Sequence, residues 1–107
     1  MEWQAAKEIG YEPKTTFWQD FSIADKFGIQ AIKDTAERAF DEWKDDIEYL
    51  TELIMVINHK CWYWYEKNQE LSNYYSALYY KYDNMAINYI ERTMGKKELS
   101  YYFNTLD

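Results

Sequence analysis

The residues best able to do chemistry crowd into one stretch, Glu52–Asn68 (ELIMVINHKCWYWYEKN), which holds the only histidine, His59, the only cysteine, Cys61, and two of the five tryptophans. On a continuous helix His59 shares a face with Glu52, seven residues earlier, and Glu48, eleven earlier, which hints at a metal. Helical di-iron sites, however, need several glutamates and two Glu-x-x-His pairs, and this chain has one histidine and no such pair. Cys61 stands two positions from His59, so the two side chains point to different sides of a helix and form no local Cys–His pair. A buried cysteine of this kind behaves as a small hydrophobe. Glu48 and Glu52 lie one turn apart, but an acid and base pair of the glycosidase kind needs a cleft that a small helical chain is not expected to form. No Gly-x-Ser-x-Gly, phosphate-cradling glycine loop, Cys-x-x-Cys or His-Glu-x-x-His is present. The expectation is a protein that is not an enzyme, with no catalytic residue, metal or cofactor, in which this stretch is core and contact surface.

The acidic residues make a longer pattern. The chain has 19 acids against 12 bases, a formal net charge of −7. Between Asp34 and Glu52 there are eight acids, opposed only by Arg38 and Lys44. Asp34, Asp41, Asp45, Glu48 and Glu52 follow steps of seven, four, three and four, which on one helix draws a negative stripe along the outward face. Such a stripe either serves solubility or presents carboxylates to a basic groove on a nucleic-acid enzyme, imitating a phosphate backbone and speeding association. The same charge argues against direct binding of the chain to DNA, RNA or an anionic membrane surface. Arginine occurs only as Arg38 and Arg92, so the bidentate fork that reads guanine or clamps phosphate is scarce as well.

Aromatic residues make up 21% of the chain, enough to build a core and still supply contact surface. Tyr74, Tyr75, Tyr79, Tyr80, Tyr82 and Tyr89 crowd one segment in which only some fit an inner seam, and Tyr80 is expected to face outward. Trp62 and Tyr63 also fall off the apolar seam of their own segment. These aromatics either pad a small core or anchor an interface, where large rigid side chains give much contact at low entropic cost. Trp62, Tyr63 and Tyr80 are the expected aromatic contacts of a partner. Base stacking would need surrounding lysine and arginine that the chain lacks.

The elements that must hold these residues are helices. Three glycines and one proline leave little of the punctuation that hairpins and loops require, which disfavours an all-β fold. At 107 residues one domain is expected, with residues 1–14 as an irregular N-terminal arm and 15–107 as a single helical domain. Thr16 with Gln19 and Ser22 with Asp25 are successive helix-start signals, the second favoured, and Gly28 is placed to end a short helix at about 16–28. Apolar residues then recur in steps of three and four from Ile29 to Trp64, predicting a helix over about 29–67 of roughly 57 Å, with a break near Asp45–Asp46 as the competing reading. Leu71, Tyr75, Leu78, Tyr82, Met85 and Tyr89 predict a second helix over about 69–94 with Gly95 as its stop, and a closing helix is expected at about 97–103. The architecture inferred is all-α, a long helical hairpin with short flanking helices. Around Tyr49–Tyr65 apolar residues spill beyond a single stripe, so the segment needs cover on more than one side, from the short helices or from a second copy of the chain. One cysteine, no N-terminal apolar segment and no apolar run near 20 residues predict a cytoplasmic protein that neither leaves the cell nor spans a membrane.

The blocks TTFWQDFSIADKFG, AIKDTAERAFDEWKDD, YLTELIMVINHK and ELSYYFNTLD resemble a family of small acidic helical proteins encoded in phages and mobile elements of Gram-positive bacteria. The resemblance spans about Thr15–Asp107 and is most distinctive from Thr15 to Gly28, whereas Tyr74–Tyr82 looks peculiar to this chain. It implies a setting, the bacterial host cytoplasm, in which small acidic proteins act as accessory factors or inhibitors of host machinery, defence nucleases included. No residue role is carried over from it. The expected partner is a host or element-encoded protein, with a homodimer as the alternative.

Overall fold

A computed structural model describes residues 15–106 as five helices: α1 Phe17–Phe27, α2 Ile29–Trp43, α3 Ile47–Trp64, α4 Gln69–Thr93 and α5 Lys96–Leu106. The described residues contain no strand, so the fold is all-α. The arm expected over residues 1–14 lies outside the described residues.

The first limb of the expected hairpin is not one helix. It breaks at Lys44–Asp46, because Asp46 turns its carboxylate onto the backbone and caps a new helix, accepting from the N–H groups of Glu48 at 3.0 Å and Tyr49 at 3.2 Å. A side chain that satisfies the orphan donors of a helix start competes with continuing the previous helix. A continuous limb of roughly 57 Å would also overrun a molecule whose longest extent is 39 Å. The true hairpin is α3 against α4, joined by the turn Tyr65–Asn68, where the Asn68 side chain accepts from the Leu71 N–H and starts α4.

α1 fills the expected span of about 16–28, and α5 runs beyond the expected 97–103 at both ends. α1 starts at Phe17, so Ser22 is a mid-helix residue whose hydroxyl donates to the Trp18 carbonyl at 2.8 Å rather than a cap. Thr16 stands at the N-cap position, but its hydroxyl donates to Asp20 and not to Gln19. Gly28 does end α1 with a positive φ of 109°, and α2 starts at the next residue. Gly95 acts as the start of α5 more than the stop of α4, since its N–H donates to Glu98 Oε1 three residues on at 3.1 Å, half of a capping box. In α5 Tyr102 docks and Phe103 stays exposed.

The core is a single cluster drawn from all five helices. α3 lies at its centre, with Leu50, Leu53, Ile54, Val56 and Ile57 fully buried. α4 packs along it, α1 and α5 rest on its other sides, and α2 closes the remaining edge. Most of the apolar excess of Tyr49–Tyr65 is therefore covered within the chain, with Trp62 and Tyr65 left exposed. On α4 the inner seam follows Leu71, Tyr75, Leu78 and Tyr82 as expected and then moves to Ala86 and Ile90, leaving Met85 exposed and Tyr89 half-buried. A straight helix of 3.6 residues per turn drifts off a strict 3.5 seam, and a step of four restores contact.

Candidate interaction surface

Beneath the candidate surface lies a buried polar cluster that no sequence pattern announced. Lys60 on α3 is only 2% exposed, and its ammonium faces Asp25 of α1 at 3.0 Å. It also donates to Ser22 Oγ at 2.7 Å and sits 4.2 Å from the centre of the Trp18 ring. Asp25 is saturated in turn: Trp64 Nε1 donates to it at 3.1 Å and the Tyr75 hydroxyl donates to its other oxygen. Burial pulls the Lys60 pKa below its ordinary value of 10.5, with the charge and hydrogen bond of Asp25 working against that shift. Burial pushes the Tyr75 phenol up, reinforced by its bond to the Asp25 carboxylate. The cluster ties α1, α3 and α4 together and leaves no open face on the ammonium. Its sequence signal was placement: Lys60 follows Leu53, Val56 and Ile57 at apolar spacing, and Asp25 follows Phe17 and Phe21 in the same way.

The acidic stripe survives in part. Asp34 and Asp41 are exposed on α2, Asp45 is exposed in the turn, and Glu48 is exposed in the first turn of α3. Asp45 accepts from the Tyr89 hydroxyl, which pushes the Tyr89 phenol up. Glu52 does not belong with them. It is buried, and its carboxylate accepts from the Thr15 N–H at 3.0 Å and from the Thr15 hydroxyl, so it fastens the entry to α1 to the middle of α3. Glu52 lies one turn after the exposed Glu48 on the same helix, but the chain entering α1 covers that turn of α3 and takes up its carboxylate. Exposed acids not counted in the stripe, Glu37 and Glu42, flank Arg38 on α2 and carry the charge across its outer surface.

Of the three aromatics expected to meet a partner, Trp62 and Tyr80 are each 64% exposed. Tyr63 is not free: it is half-buried, edge-on to Trp18 with centroids 5.8 Å apart, and flanked by the ammonium groups of Lys67 at 4.4 Å and Lys60 at 5.2 Å. Trp62 packs at a tilt against Tyr65 at the end of α3, and Tyr80 lies edge-on to Tyr79 on α4, so each of the two exposed rings pairs with a neighbour on its own segment. His59 is half-buried, and Cys61 keeps its sulfur 3.8 Å from the Ser72 hydroxyl at the α3–α4 crossing. Among the described residues no three histidine, cysteine, aspartate or glutamate side chains cluster closely enough to hold a metal ion. Among them, too, no helix is long and apolar enough to cross a membrane.

Two exposed apolar side chains were missed altogether, Ile23 at 57% and Phe27 at 78% exposure on α1. They recur at i and i+4 on the side of α1 opposite Asp25. Comparison with protein families, with curated proteins and with solved structures finds no match to this chain.

Proposed function

We propose that this protein works by binding another protein, using the acidic outer side of α2 and the turn beyond it, and not by catalysis. The observation that carries the reading is the exposed run Asp34, Glu37, Asp41, Glu42, Asp45, Asp46 and Glu48, opposed only by Arg38 and Lys44. Over residues 34–48, seven acids less two bases leave −5 of the chain's −7. Charge so concentrated accelerates encounter with a basic partner and discriminates against others, at a strength that falls with salt. A basic groove of a nucleic-acid enzyme or a defence system is the partner class that fits, with the acids standing in for phosphates. The resemblance of the four sequence blocks to proteins of phages and mobile elements supplies the setting: an accessory factor or inhibitor acting on host machinery in a bacterial cytoplasm.

Self-association has less to recommend it. The apolar residues of Tyr49–Tyr65 that would have formed a dimer interface are mostly occupied by α1, α4 and α5, which leaves Trp62 and Tyr65 exposed there.

The test is retention of partner from host lysate by the wild type and by the triple reversal Asp41→Lys, Asp45→Lys, Glu48→Lys, at low and high salt. The reading expects a stoichiometric protein held by the wild type at low salt, released at high salt, and not held by the reversal. Equal retention by both proteins at both salt concentrations would refute it.

A further inference from the structure

The outer side of the α1–α2 pair is a furrow open to solvent, lined from Thr16 and Trp43 at one end to Phe27 and Ala31 at the other. α1 has eleven residues, so the furrow runs about 16 Å, three turns of helix. Its floor is made of small side chains, Ala24, Ala31, Thr35 and Ala39. Small residues at the base of a two-helix groove let a third backbone approach closely, and the groove-binding helices of other systems are read as apolar anchors at i, i+3, i+4 and i+7. Ile23 and Phe27 stand on the α1 wall, more than half exposed, where such anchors would pack. Asp20, Asp34 and Glu42 charge the walls, with Arg38 the one base among them.

We propose that this furrow receives a cationic amphipathic helix of the partner protein, about three turns long, its apolar face on Ile23 and Phe27 and its lysines or arginines on Asp20, Asp34 and Glu42. The inference rests on the protein-binding reading above and names the chemistry of the partner. Charge selects this occupant over a second copy, because a chain of net charge −7 brings like charge to an acidic furrow.

The experiment titrates the intact protein with a synthetic leucine–lysine helix of about 12 residues, with the same composition scrambled to abolish the apolar face, and with a leucine–glutamate helix. Dissociation constants come from anisotropy, and backbone amide shifts map the site. Expected are binding of the ordered cationic peptide, shifts at Ile23, Phe27, Ala31, Thr35 and Arg38, and affinity at least about tenfold lower for the scrambled peptide and for Ile23→Ser/Phe27→Ser. Phe27→Ser alone, at the more exposed position, keeps the test readable if the double variant folds poorly. Unchanged affinity in the serine variants with loss in Asp41→Lys/Asp45→Lys/Glu48→Lys would overturn the furrow while leaving the acidic-side reading standing. Equal binding of ordered and scrambled peptides would overturn it too. So would a dimer in sedimentation that the serine variants split, because the occupant would then be a second copy.

Discussion

Replacing Lys60 with methionine keeps a four-atom apolar stem and removes the ammonium that Asp25 faces. The carboxylate would retain two donors, Trp64 Nε1 and the Tyr75 hydroxyl, in a site where Asp25 itself is only 6% exposed. Leaving one charge of a buried pair uncompensated costs about 3–5 kcal/mol. Loss of the cation–π contact with Trp18 adds to this, and methionine against the same ring gives part of it back. A domain of this size is stable by about 5–15 kcal/mol, and each kcal/mol moves the melting temperature by about 4–8 °C. Lys60→Met is therefore expected to lower the melting temperature by about 12 °C or more.

Asp25→Asn is expected to behave differently. It strands an ammonium whose pKa burial already lowers, and lysine, unlike aspartate at neutral pH, escapes by releasing its proton. The unfolded chain then binds more protons than the native one in the window below 10.5, so the stability of this variant rises with pH there, by about 1.4 kcal/mol per unit at most. Removing both charges leaves neither stranded, and the double variant should lose less than the sum of the single ones. The assay is urea unfolding of the four proteins, followed by circular dichroism and tryptophan fluorescence, at neutral pH and near pH 9. A loss below about 1 kcal/mol for Lys60→Met, with additive behaviour in the double variant, would mean that the pair is solvated and that the cluster does not hold α1 in place.

Three further outcomes follow from the same structure. Burial pushes up the phenols of Tyr75 and Tyr102, and that of Tyr82 to about 12. Their unfolded counterparts ionise near 10.0, so the native state holds protons the unfolded state has lost, and stability falls above that pH by about 1.4 kcal/mol per unit for each, about 4 together. Phenolate absorbance should rise in two stages, the second coinciding with loss of helical dichroism, and ionisation of all twelve tyrosines with the helices intact would contradict their burial. Gly28→Ala meets no atom within 4 Å, but the backbone there has φ 109° and ψ −174°, a region kept to glycine, so strain alone should cost about 1–3 kcal/mol in chemical unfolding. Asp46→Ala removes the acceptor for two N–H groups at the start of α3 and should cost about 1 kcal/mol, detectable in the same assay.

The limits of the sequence reading are physical and local. The helical class, the α3–α4 hairpin, the outward Tyr80 and the stop at Gly28 were legible because each depends on residues within a few positions of one another. The break at Asp46 stood only as the competing reading, because the turn Lys44–Asp46 occupies about one helical turn and keeps the three-and-four spacing running from Trp43 to Ile47 and Leu50 without a gap. Glu52, read as outward, is instead bonded to Thr15, 37 residues earlier in the chain, a contact that no local spacing reports. Ser22 and Asp25 resemble a capping pair to any local rule. Their real partner, Lys60, is 35 residues or more away in the chain, a distance that no periodicity measures.

The cluster and the outer surface are two sides of one helix. On α1, Asp25 faces inward to Lys60, Trp64 and Tyr75, while Ile23 and Phe27 face outward. Hydrophobic packing alone tolerates some rotation of a short helix about its axis, since Phe17, Phe21 and Ala24 would stay largely covered. A buried ion pair with saturated donors does not, because a small turn would separate the charges and leave both without water. The expense of burying Lys60 thus fixes the rotation of α1, and with it the width of the furrow that α1 shares with α2. This predicts a link between distant positions: Lys60→Met, at a residue outside the furrow lining, should weaken the binding of a cationic amphipathic helix under conditions where the variant is still folded. Unaltered affinity in a folded Lys60→Met protein would show that packing against α2 and α3 is enough to set α1, and that the buried pair contributes stability without shaping the surface.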